Sequence, residues 1–567
     1  MDTKRFLLAI GLTLLVLWLY ETWLEYQYPE YSQGQQVAEQ EAEEEAKRQS
    51  APDARDSAGA SAESGDESRS GADVPKVSQN QEESSPAQPA ESLGSAPGPS
   101  VSTDLLRVVF GKRSGDPIRA ETLRHRQDDK AGSPPVAVLQ PEGPQVVVVE
   151  SGWQAQELPA PGRDADFTTD ASGELGLDPG QDRIAVNYTH TRDGLEFRKT
   201  YRLRRGSYQV TVDYTVINRS DAPWQGHLFG HVRERGSKPG GNWLLAGFSY
   251  DGPVVFTGED MQTYSHDALL ERQGQGFQKR DPDGWAGIMS RYFLAAWLPD
   301  SGQDNLIYAQ ASGPDSFAGY SSPFPRVAPG DKVSVQETLY LGPKEQSVLN
   351  QVGRNLRRSV DYGILSFLAI PLFEVLQFFH GLVGNYGFAI ILVTLLIKVI
   401  FFPLFSMSYR AMAKMRKVQP ELQRLREQYG DDRQKLNEEM MRLYREEKVN
   451  PLGGCLPILV QIPVFISLYW VLLESVEIRH EPFILWITDL TSQDPFYVLP
   501  VLMGASMVVQ QLMNPAPLDP IQKKVMLALP VVFTLFFMQF PAGLVLYWLS
   551  NNLISIGQQW WIMRKIG

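Results

Sequence analysis

The sequence predicts a polytopic α-helical membrane protein with six spans that also carries a large β-sandwich domain outside the cytoplasm. Three observations support this fold class. Apolar segments recur through the last third of the chain. Residues 102–345 contain runs in which apolar and polar positions alternate, as in strands. Lys and Arg collect at the chain ends and in two loops, which places both termini in the cytoplasm.

Composition narrows the class of protein further. The chain has 567 residues, which is enough for several domains. Its net charge of −13 comes mostly from the first half and argues against a DNA partner. The single cysteine, Cys455, excludes a framework of intrachain disulfides. The external domain must therefore be stabilised by a hydrophobic core.

The first two segments are an anchor and a tether. Residues 1–25 hold an apolar run after Lys4 and Arg5, which places the amino terminus in the cytoplasm. A cleaved signal peptide is the alternative, but the run is longer than a signal core and no small-x-small site follows it. Residues 26–101 are low-complexity and acidic, so we expect a disordered tether.

Residues 102–345 form the predicted periplasmic β-sandwich domain, since short alternating runs are separated by Gly and Pro turns. His227 and His231 have a spacing that would suit a metal on a helix, but they lie in a strand-like stretch without a third ligand. No metal site, catalytic residue or cofactor is therefore predicted. Residues 346–386 are predicted to form an interfacial amphipathic region, because Pro371 and Glu374 interrupt the apolar run. A membrane span is the alternative.

Residues 387–567 are predicted to form five spans. Between the first two lies a helical hairpin at residues 408–450, which turns at residues 430–432. Residues 410–448 contain eleven Lys or Arg against eight Asp or Glu, so the hairpin is expected in the cytoplasm. It is either a solvated connector or a partner-binding element, and its length favours the second.

Lys398 is the one full charge in the span at residues 387–405. A charge inside a bilayer is costly and usually functional. None of the predicted spans contains an acidic partner for it, and Arg410 lies twelve residues further on, which is too far for full snorkelling. Thr394 shares its helical face, and Asn551 and Ser555 share a face of the last span. We therefore expect a water-accessible, positively charged cavity that opens to the cytoplasm.

Five segments carry a resemblance to a known family. They are LIKVIFFPLF, YRAMAKMRKVQPELQRLRE, GDDRQKLNEEMMRLYREEKVNPLGGCLPILVQIPVF, DPFYVLPVLMG and FPAGLVLYWLSNNLISIGQQ. From about residue 356 to the end, the chain resembles the YidC membrane protein insertases of Gram-negative bacteria. The mitochondrial oxidase-assembly and chloroplast insertases are more distant relatives. The anchor, the tether and the sandwich, which is similar to sugar-binding supersandwiches, resemble the same bacterial subgroup more loosely.

The resemblance implies a non-enzymatic insertase and chaperone of the cell inner membrane. Such a protein inserts, folds and helps to assemble nascent membrane proteins through a hydrophilic groove, alone or with the Sec translocon. No nucleotide-binding loop is visible, so ATP hydrolysis is not expected. Lys398 matches a family position that is more often arginine. Implied partners are nascent integral membrane proteins, the Sec translocon with its accessory proteins, the ribosome, the signal-recognition receptor and membrane lipids.

Two sets of site residues follow from the pattern and the resemblance together. The predicted substrate groove comprises Lys398, Thr394, Gln461, Asn551, Ser555, Tyr547 and Trp548. The predicted cytoplasmic partner-binding residues are Met412, Met415, Arg416, Lys417, Met440, Met441, Lys523 and Lys524.

Two other functions compete with insertion. A secondary transporter would use Lys398 to bind a small anion, but such proteins usually show internal repeats, and none is visible here. An envelope-biogenesis enzyme would need a nucleophile and a base in the sandwich, and no such arrangement is recognisable from the sequence.

Overall fold

The computed structural model describes residues 96–155, 159–161, 165–236, 250–258, 260–272, 276–430, 432–447, 456–514 and 520–566. The predicted anchor and all but the end of the predicted tether lie outside these residues. The first strand already begins at Pro97, so the tether boundary predicted at residue 101 is too late. The residues around position 101 already pair with the next strand, and Val101 is fully buried there, so they belong to the β-domain and not to the tether.

The first half of the described chain is a domain rich in β-strands, as predicted. Its strands are β1 (Pro97–Ser102), β2 (Leu106–Gly111), β3 (Pro117–Arg126), β4 (Pro135–Leu139), β5 (Val146–Gln154), β6 (Glu174–Gly176), β7 (Arg183–Arg192), β8 (Leu195–Arg204), β9 (Gln209–Asn218), β10 (His227–Arg235), β11 (Gly252–Thr257), β12 (Asp260–Thr263), β13 (Phe277–Arg280), β14 (Trp285–Met289), β15 (Phe293–Leu298), β16 (Leu306–Ser312), β17 (Asp315–Pro323) and β18 (Lys332–Pro343).

These strands form three sheets. The largest has eight strands in the order β12-β11-β14-β15-β18-β9-β8-β7, and two five-stranded sheets run β13-β16-β17-β10-β5 and β4-β3-β2-β1-β6. Alternation decides which side chains enter the core: in β9, Val210, Val212, Tyr214 and Val216 are fully buried. Large aromatic side chains such as Trp153 fill the interior. A hydrophobic core thus supplies the stability that disulfides cannot.

The second half of the described chain is helical. After a short α1 (His266–Glu271) inside the β-domain, the helices are α2 (Gln346–Val352), α3 (Ser366–Val383), α4 (Tyr386–Ile400), α5 (Phe402–Tyr429), α6 (Arg433–Glu446), α7 (Leu456–Glu474), α8 (Val498–Met513), α9 (Pro520–Phe537) and α10 (Ala542–Ile566). The long α10 contacts α4, α5, α7 and α8, so it is the common packing partner of this region.

Length and composition identify few spans among the described helices. Of these, α3 alone is long and apolar enough to cross a bilayer, and α4 with α5 would count as a second if the bent pair were one span. Three further apolar helical stretches are shorter: Gln461–Glu474, Val498–Met513 and Lys524–Phe537. The six-span topology therefore stays a prediction, as does the choice between an interfacial and a spanning α3.

Residues 475–497, here called the connecting segment, join α7 to α8 and lie across the ends of several helices. The amides of Ala542 and Gly543 at the start of α10 donate to its carbonyls at 2.7 and 2.9 Å. Phe483 lies against Gly387 of α4 so closely that a Cβ there would be 2.0 Å from its ring. Asp494 caps α8 by accepting from the Leu499 amide at 2.7 Å. The segment is therefore held in place by α4, α8 and α10.

The connecting segment also contacts the β-domain. The Arg479 guanidinium donates to the carbonyls of Arg126 and Gln127 at 2.7 and 2.8 Å. Thr488 donates to Asp129 at 2.7 Å. Burial lowers the pKa of Arg479 from its ordinary value, while charge-assisted bonds of this kind partly offset the cost. The β-domain and the helices thus share a defined polar junction.

Glu477 is half-buried at that junction, next to the start of α2. Its carboxylate accepts from the Gln346 amide at 2.9 Å, but its second oxygen has no hydrogen-bond partner among the described residues. Burial raises the pKa of Glu477 to about 7. The group therefore takes up a proton well above the pH at which an exposed glutamate does.

Candidate functional site

A sharp bend separates α4 from α5 directly after Lys398. The helix axes differ by 70° across Phe401, whereas the sequence predicted one continuous span to residue 405. Pro403 at the start of α5 accounts for the restart, because it has no amide to continue the hydrogen bonding of α4 and its fixed φ suits a first helical turn. The bend carries the first two turns of α5 back toward Lys398.

Lys398 is enclosed by α4, α5 and α10. Its Nζ donates to Ser555 Oγ at 2.7 Å and lies 4.0 Å from the centroid of the Phe405 ring. No carboxylate in the described ranges forms an ion pair with it, and the residue is only 1% exposed. The expectation of a water-accessible cation is wrong for this conformation. The reason is that the bend places α5 over the ammonium.

The polar face of α10 was predicted only in part. Asn551 and Ser555 are both buried, but Asn551 has neighbours that the prediction left out of the site. Asn552 donates to Ser506 of α8 at 3.0 Å, and Gln559 donates to Asn514 at 3.1 Å. Thr394 is buried as well, yet its hydroxyl donates to the Ile390 carbonyl of its own helix. It therefore contributes a packing surface to the site rather than a free hydroxyl.

The remaining predicted groove residues form a second, aromatic group near the start of α10, where α7 packs against it. Phe465 of α7 packs against Tyr547 and Trp548 with ring centroids 6.2 and 4.8 Å apart. Gln461 lies within hydrogen-bonding reach of the Tyr547 hydroxyl. Residues 547 and 555 are eight positions apart, or roughly 12 Å along a helix. The structure thus divides the predicted groove into a polar group around Lys398 and an aromatic group two turns away.

Phe405 and Tyr409 are site residues that the sequence prediction missed. Both are buried on one face of α5 and form a small cluster with Ile562 of α10, against which Phe401 and Met412 pack. The two aromatic residues are four apart at the start of a helix, and that i, i+4 spacing next to a charged span was the available signal.

The predicted partner-binding residues are divided between two environments. Met415 and Met440 are partly buried and both pack against the buried Val418 and Leu422, where α5 meets α6. Arg416 and Lys417 are exposed, as is Lys524. Met441 is half-buried on α6, Met412 belongs to the cluster beside Lys398, and the Lys523 side chain lies outside the described part. Partner binding by Met415 and Met440 stays a prediction, and both side chains also help to pack α5 against α6.

His231 in the β-domain has partners of its own. Its ring nitrogens lie 2.9 Å from the Tyr308 hydroxyl and 3.0 Å from Glu150. Within the described ranges no group of three or more His, Cys, Asp or Glu side chains is arranged to hold a metal ion. His231 thus belongs to a hydrogen-bonded network on β10, β5 and β16.

Among the described residues, a β-rich domain is joined to a region of apolar helices in which Lys398 is buried without a carboxylate partner, an arrangement typical of a membrane protein with a large domain outside the bilayer. Family models agree with this division. Residues 99–375 match the YidC periplasmic domain, and residues 378–567 match the 60Kd inner membrane protein family. The chain belongs to the YidC family. It is therefore an inner-membrane protein with a periplasmic domain, and the prediction of a non-enzymatic family is confirmed.

Individual relatives show how far the similarity extends. The chain is 44% identical to a protein of Marinobacter nauticus over 82% of each chain. It is 40% identical to a protein of Methylobacillus flagellatus over 100% of this chain and 98% of that one. Both are named membrane protein insertase YidC. A crystal structure of an active YidC insertase superposes loosely, with 16% identity, a TM-score of 0.37, and coverage of 80% of this chain and 90% of that one.

Proposed function

We propose that this chain is an insertase and chaperone for nascent inner-membrane proteins, and that Lys398 attracts the acidic or polar segment of a substrate. The observation that carries the proposal is the set of partners around the Lys398 ammonium. A hydroxyl and an aromatic ring satisfy a buried cation poorly, because neither carries a full negative charge. A carboxylate brought by a substrate would supply what this site lacks.

The buried polar face of α10 suits the same role. An external segment of a nascent protein must cross a region in which its backbone and side-chain polar groups have no partners. Ser555 contacts Lys398, and Asn551 and Asn552 are buried on the same helix, so their hydrogen-bonding groups would partly replace water. The 16 residues of α8 extend about 24 Å, less than the hydrocarbon thickness of about 30 Å, so the bilayer would thin beside it. Both effects lower the barrier for the polar segment.

The topology and the partners belong to the same proposal. We place both termini and the α5–α6 pair in the cytoplasm and count six spans, of which the first lies in residues 1–25. The apolar helix of a substrate would leave along the exposed side chains of α9, such as Leu527, Val531 and Leu535. Insertion would occur alone or with the Sec translocon, with the ribosome and the signal-recognition receptor delivering substrates. It would require no ATP.

Reconstitution tests the proposal directly. The full-length protein is placed in liposomes and given a small substrate with one or two spans and an acidic external segment, without nucleotide. We expect a protease-protected substrate in an amount well above that of empty liposomes. Insertion no better than in empty liposomes would overturn the proposal. Flux of a small anion that disappears in Lys398→Ala would favour a transporter instead.

A further inference from the structure

The connecting segment carries several exposed apolar side chains. Leu485 is 82% exposed, the highest value among the large hydrophobic residues that the structure describes. Ile484 beside it is exposed, and Phe496 is 67% exposed. Trp486 links the two stretches, because its ring lies 6.3 Å from that of Phe496 and its Nε1 donates to Asp494 at 2.9 Å. The three exposed residues, Ile484, Leu485 and Phe496, are here called the apolar tip.

The turn that carries Leu485 is held from inside the protein. Its backbone closes through the amides of Phe483 and Ile487, which donate to the carbonyls of Ile487 and Ile484 at 3.0 and 3.2 Å. Ile487 is buried, and the Asn385 side chain at the start of α4 donates to the Phe483 carbonyl at 3.0 Å. Leu485 itself has a φ of 56°, in the left-handed region that a leucine rarely adopts. The fold therefore accepts a strained backbone at a residue whose apolar side chain it holds outward.

The apolar tip lies at the periplasmic end of the helical region. The connecting segment bonds to the first residues of α4, α8 and α10. The same segment binds the β-domain through Arg479 and Thr488. Because that domain is periplasmic, this end of the helices faces the periplasm. The tip is therefore at the level where the helices of an inner-membrane protein reach the membrane surface.

Exposed apolar side chains of two helices continue from the connecting segment along the helical region. On α4, the exposed Phe388 packs against Phe483 of the segment, with ring centroids 5.2 Å apart. Leu395 and Val399 are exposed seven and eleven residues after Phe388, a spacing that places all three on one face of α4. On α8, which follows the tip directly, Leu502 is exposed as well. The tip thus adjoins a long apolar surface, and surfaces of this kind contact lipid or other proteins.

We propose that the apolar tip is immersed in the periplasmic leaflet of the inner membrane. Lipid is the favoured occupant, because the exposed side chains of the tip offer hydrocarbon and no hydrogen-bonding group. The flanking Trp486 and Tyr497 are residue types that concentrate at membrane–water interfaces. Since Arg479 and Thr488 bind the same segment to the β-domain, immersion of the tip would fix the height of that domain above the bilayer. The proposal does not depend on insertion or on a role for Lys398.

Spin labelling of the full-length protein in lipid nanodiscs tests the immersion. Cys455 is the single cysteine, so Cys455→Ser provides a background in which Leu485→Cys carries the only nitroxide. Power saturation compares the collisions of the nitroxide with oxygen, which concentrates in the bilayer, and with a water-soluble nickel chelate. We expect the oxygen-to-nickel ratio at position 485 to be several-fold higher than at a control position in the β-domain.

Ala222→Cys supplies that control. Ala222 is exposed in the turn after β9, and β9 ends beside Lys332 at the start of β18. From there β18 runs eleven residues to Pro343, where the chain leaves for the helices, a distance of roughly 36 Å in a strand. A nitroxide at position 222 should therefore meet the nickel chelate freely. Phe496→Cys is a second position in the tip and should give the same high ratio even if a cysteine at 485 disturbs its turn.

The measurement distinguishes lipid from the other possible surroundings of the tip. Nickel accessibility at positions 485 and 496 equal to that at 222 would place the tip in water and overturn the proposal. Low accessibility to both reagents would also overturn it, because protein, such as a second copy of this chain, would then cover the tip in place of lipid. Neither result would bear on insertion, which the liposome assay measures separately.

Discussion

Two lysines of this protein are equally buried and are satisfied very differently. Lys199 in the β-domain and Lys398 in the helical region are each 1% exposed. Lys199 donates to Asp116 at 2.7 Å and to the carbonyls of Ser151 and Ser114 at 2.8 and 3.3 Å. Lys398 has one hydroxyl and one aromatic ring.

The counter-ion of Lys199 is itself fully engaged. Asp116 also accepts from the Ser151 hydroxyl at 2.6 Å and from Tyr201 at 2.9 Å. A buried charge with a complete set of partners fixes the arrangement of the strands that supply them. A buried charge without a counter-ion is stabilised less well by the fold, which is why we propose a partner from outside the chain for Lys398. Partners, rather than burial, distinguish the structural Lys199 from Lys398, for which we propose a role in substrate binding.

The largest effect is expected from removal of the structural lysine. Lys199→Met leaves Asp116 buried and uncompensated, which should lower the free energy of unfolding of the β-domain by about 3–5 kcal/mol. Denaturant titration of the full-length protein in detergent, followed by proteolysis of the β-domain, measures the change. Lys279→Met, at an exposed position of β13, is the matched control. A loss below about 1 kcal/mol would mean that the Lys199 network is not what stabilises the sandwich.

Glu477 at the junction is intermediate between the two lysines, because a bound proton, and not a counter-ion, neutralises its charge. Its pKa of about 7 exceeds the ordinary 4.5, so the folded state binds the proton more tightly than the unfolded state. Its contribution to stability is therefore complete below about pH 4.5 and is lost as the pH rises through 7, by about 3 kcal/mol in all.

Glu477→Gln should abolish that loss, because an amide keeps the acceptor for the Gln346 amide and cannot ionise. Melting temperatures of the full-length protein between pH 4.5 and 8 test this, with the exposed Glu271→Gln as the control. His125, whose pKa burial lowers to about 4, acts in the opposite direction, so the variant is compared with the unmodified protein at each pH. Parallel curves for the two proteins would contradict the assignment.

Reversal of the charge at Lys398 should affect insertion rather than folding. In the liposome assay, Lys398→Glu is expected to reduce insertion of a substrate with an acidic external segment about tenfold, which corresponds to about 1.4 kcal/mol. A substrate with a basic segment should be affected much less. Lys398→Arg, which retains the charge, should stay within about threefold of the unmodified protein. Equal insertion of the acidic substrate by the glutamate variant would show that this charge does not capture substrates.

The smallest effect is expected from removal of Lys398, the lysine that we propose binds substrate. Lys398→Met replaces an uncompensated buried cation with an apolar side chain of similar length, so the free energy of unfolding should change by less than about 1 kcal/mol or rise. The same denaturant titration that is used for Lys199→Met provides the measurement. Destabilisation of both methionine variants to the same extent would remove the distinction between the two lysines.

Features that depend on neighbouring residues in the chain could be predicted from the sequence. The alternation in residues 208–216 predicts β9 because strand side chains alternate between the two faces of a sheet. The apolar run around Lys398 predicts a membrane segment that contains one costly charge. No acidic residue is near enough in the sequence to pair with that charge. The order and spacing of the quoted motifs identified the family, as the relatives confirm. Each of these features depends on residues that are close together in the chain.

Only the tertiary structure decided which distant side chains meet. Asp116 and Lys199 are 83 residues apart, and Lys398 and Ser555 are 157 apart, so no local period connects them. Pro403 marks where a new helix can begin, but it does not determine the 70° bend at Phe401, and it is the bend that brings Phe405 over the cation. Burial of a charge is set by the packing of elements against one another, which depends on the whole fold. The sequence therefore predicted a charge in need of a partner, and the fold decided that Ser555 and Phe405 surround it.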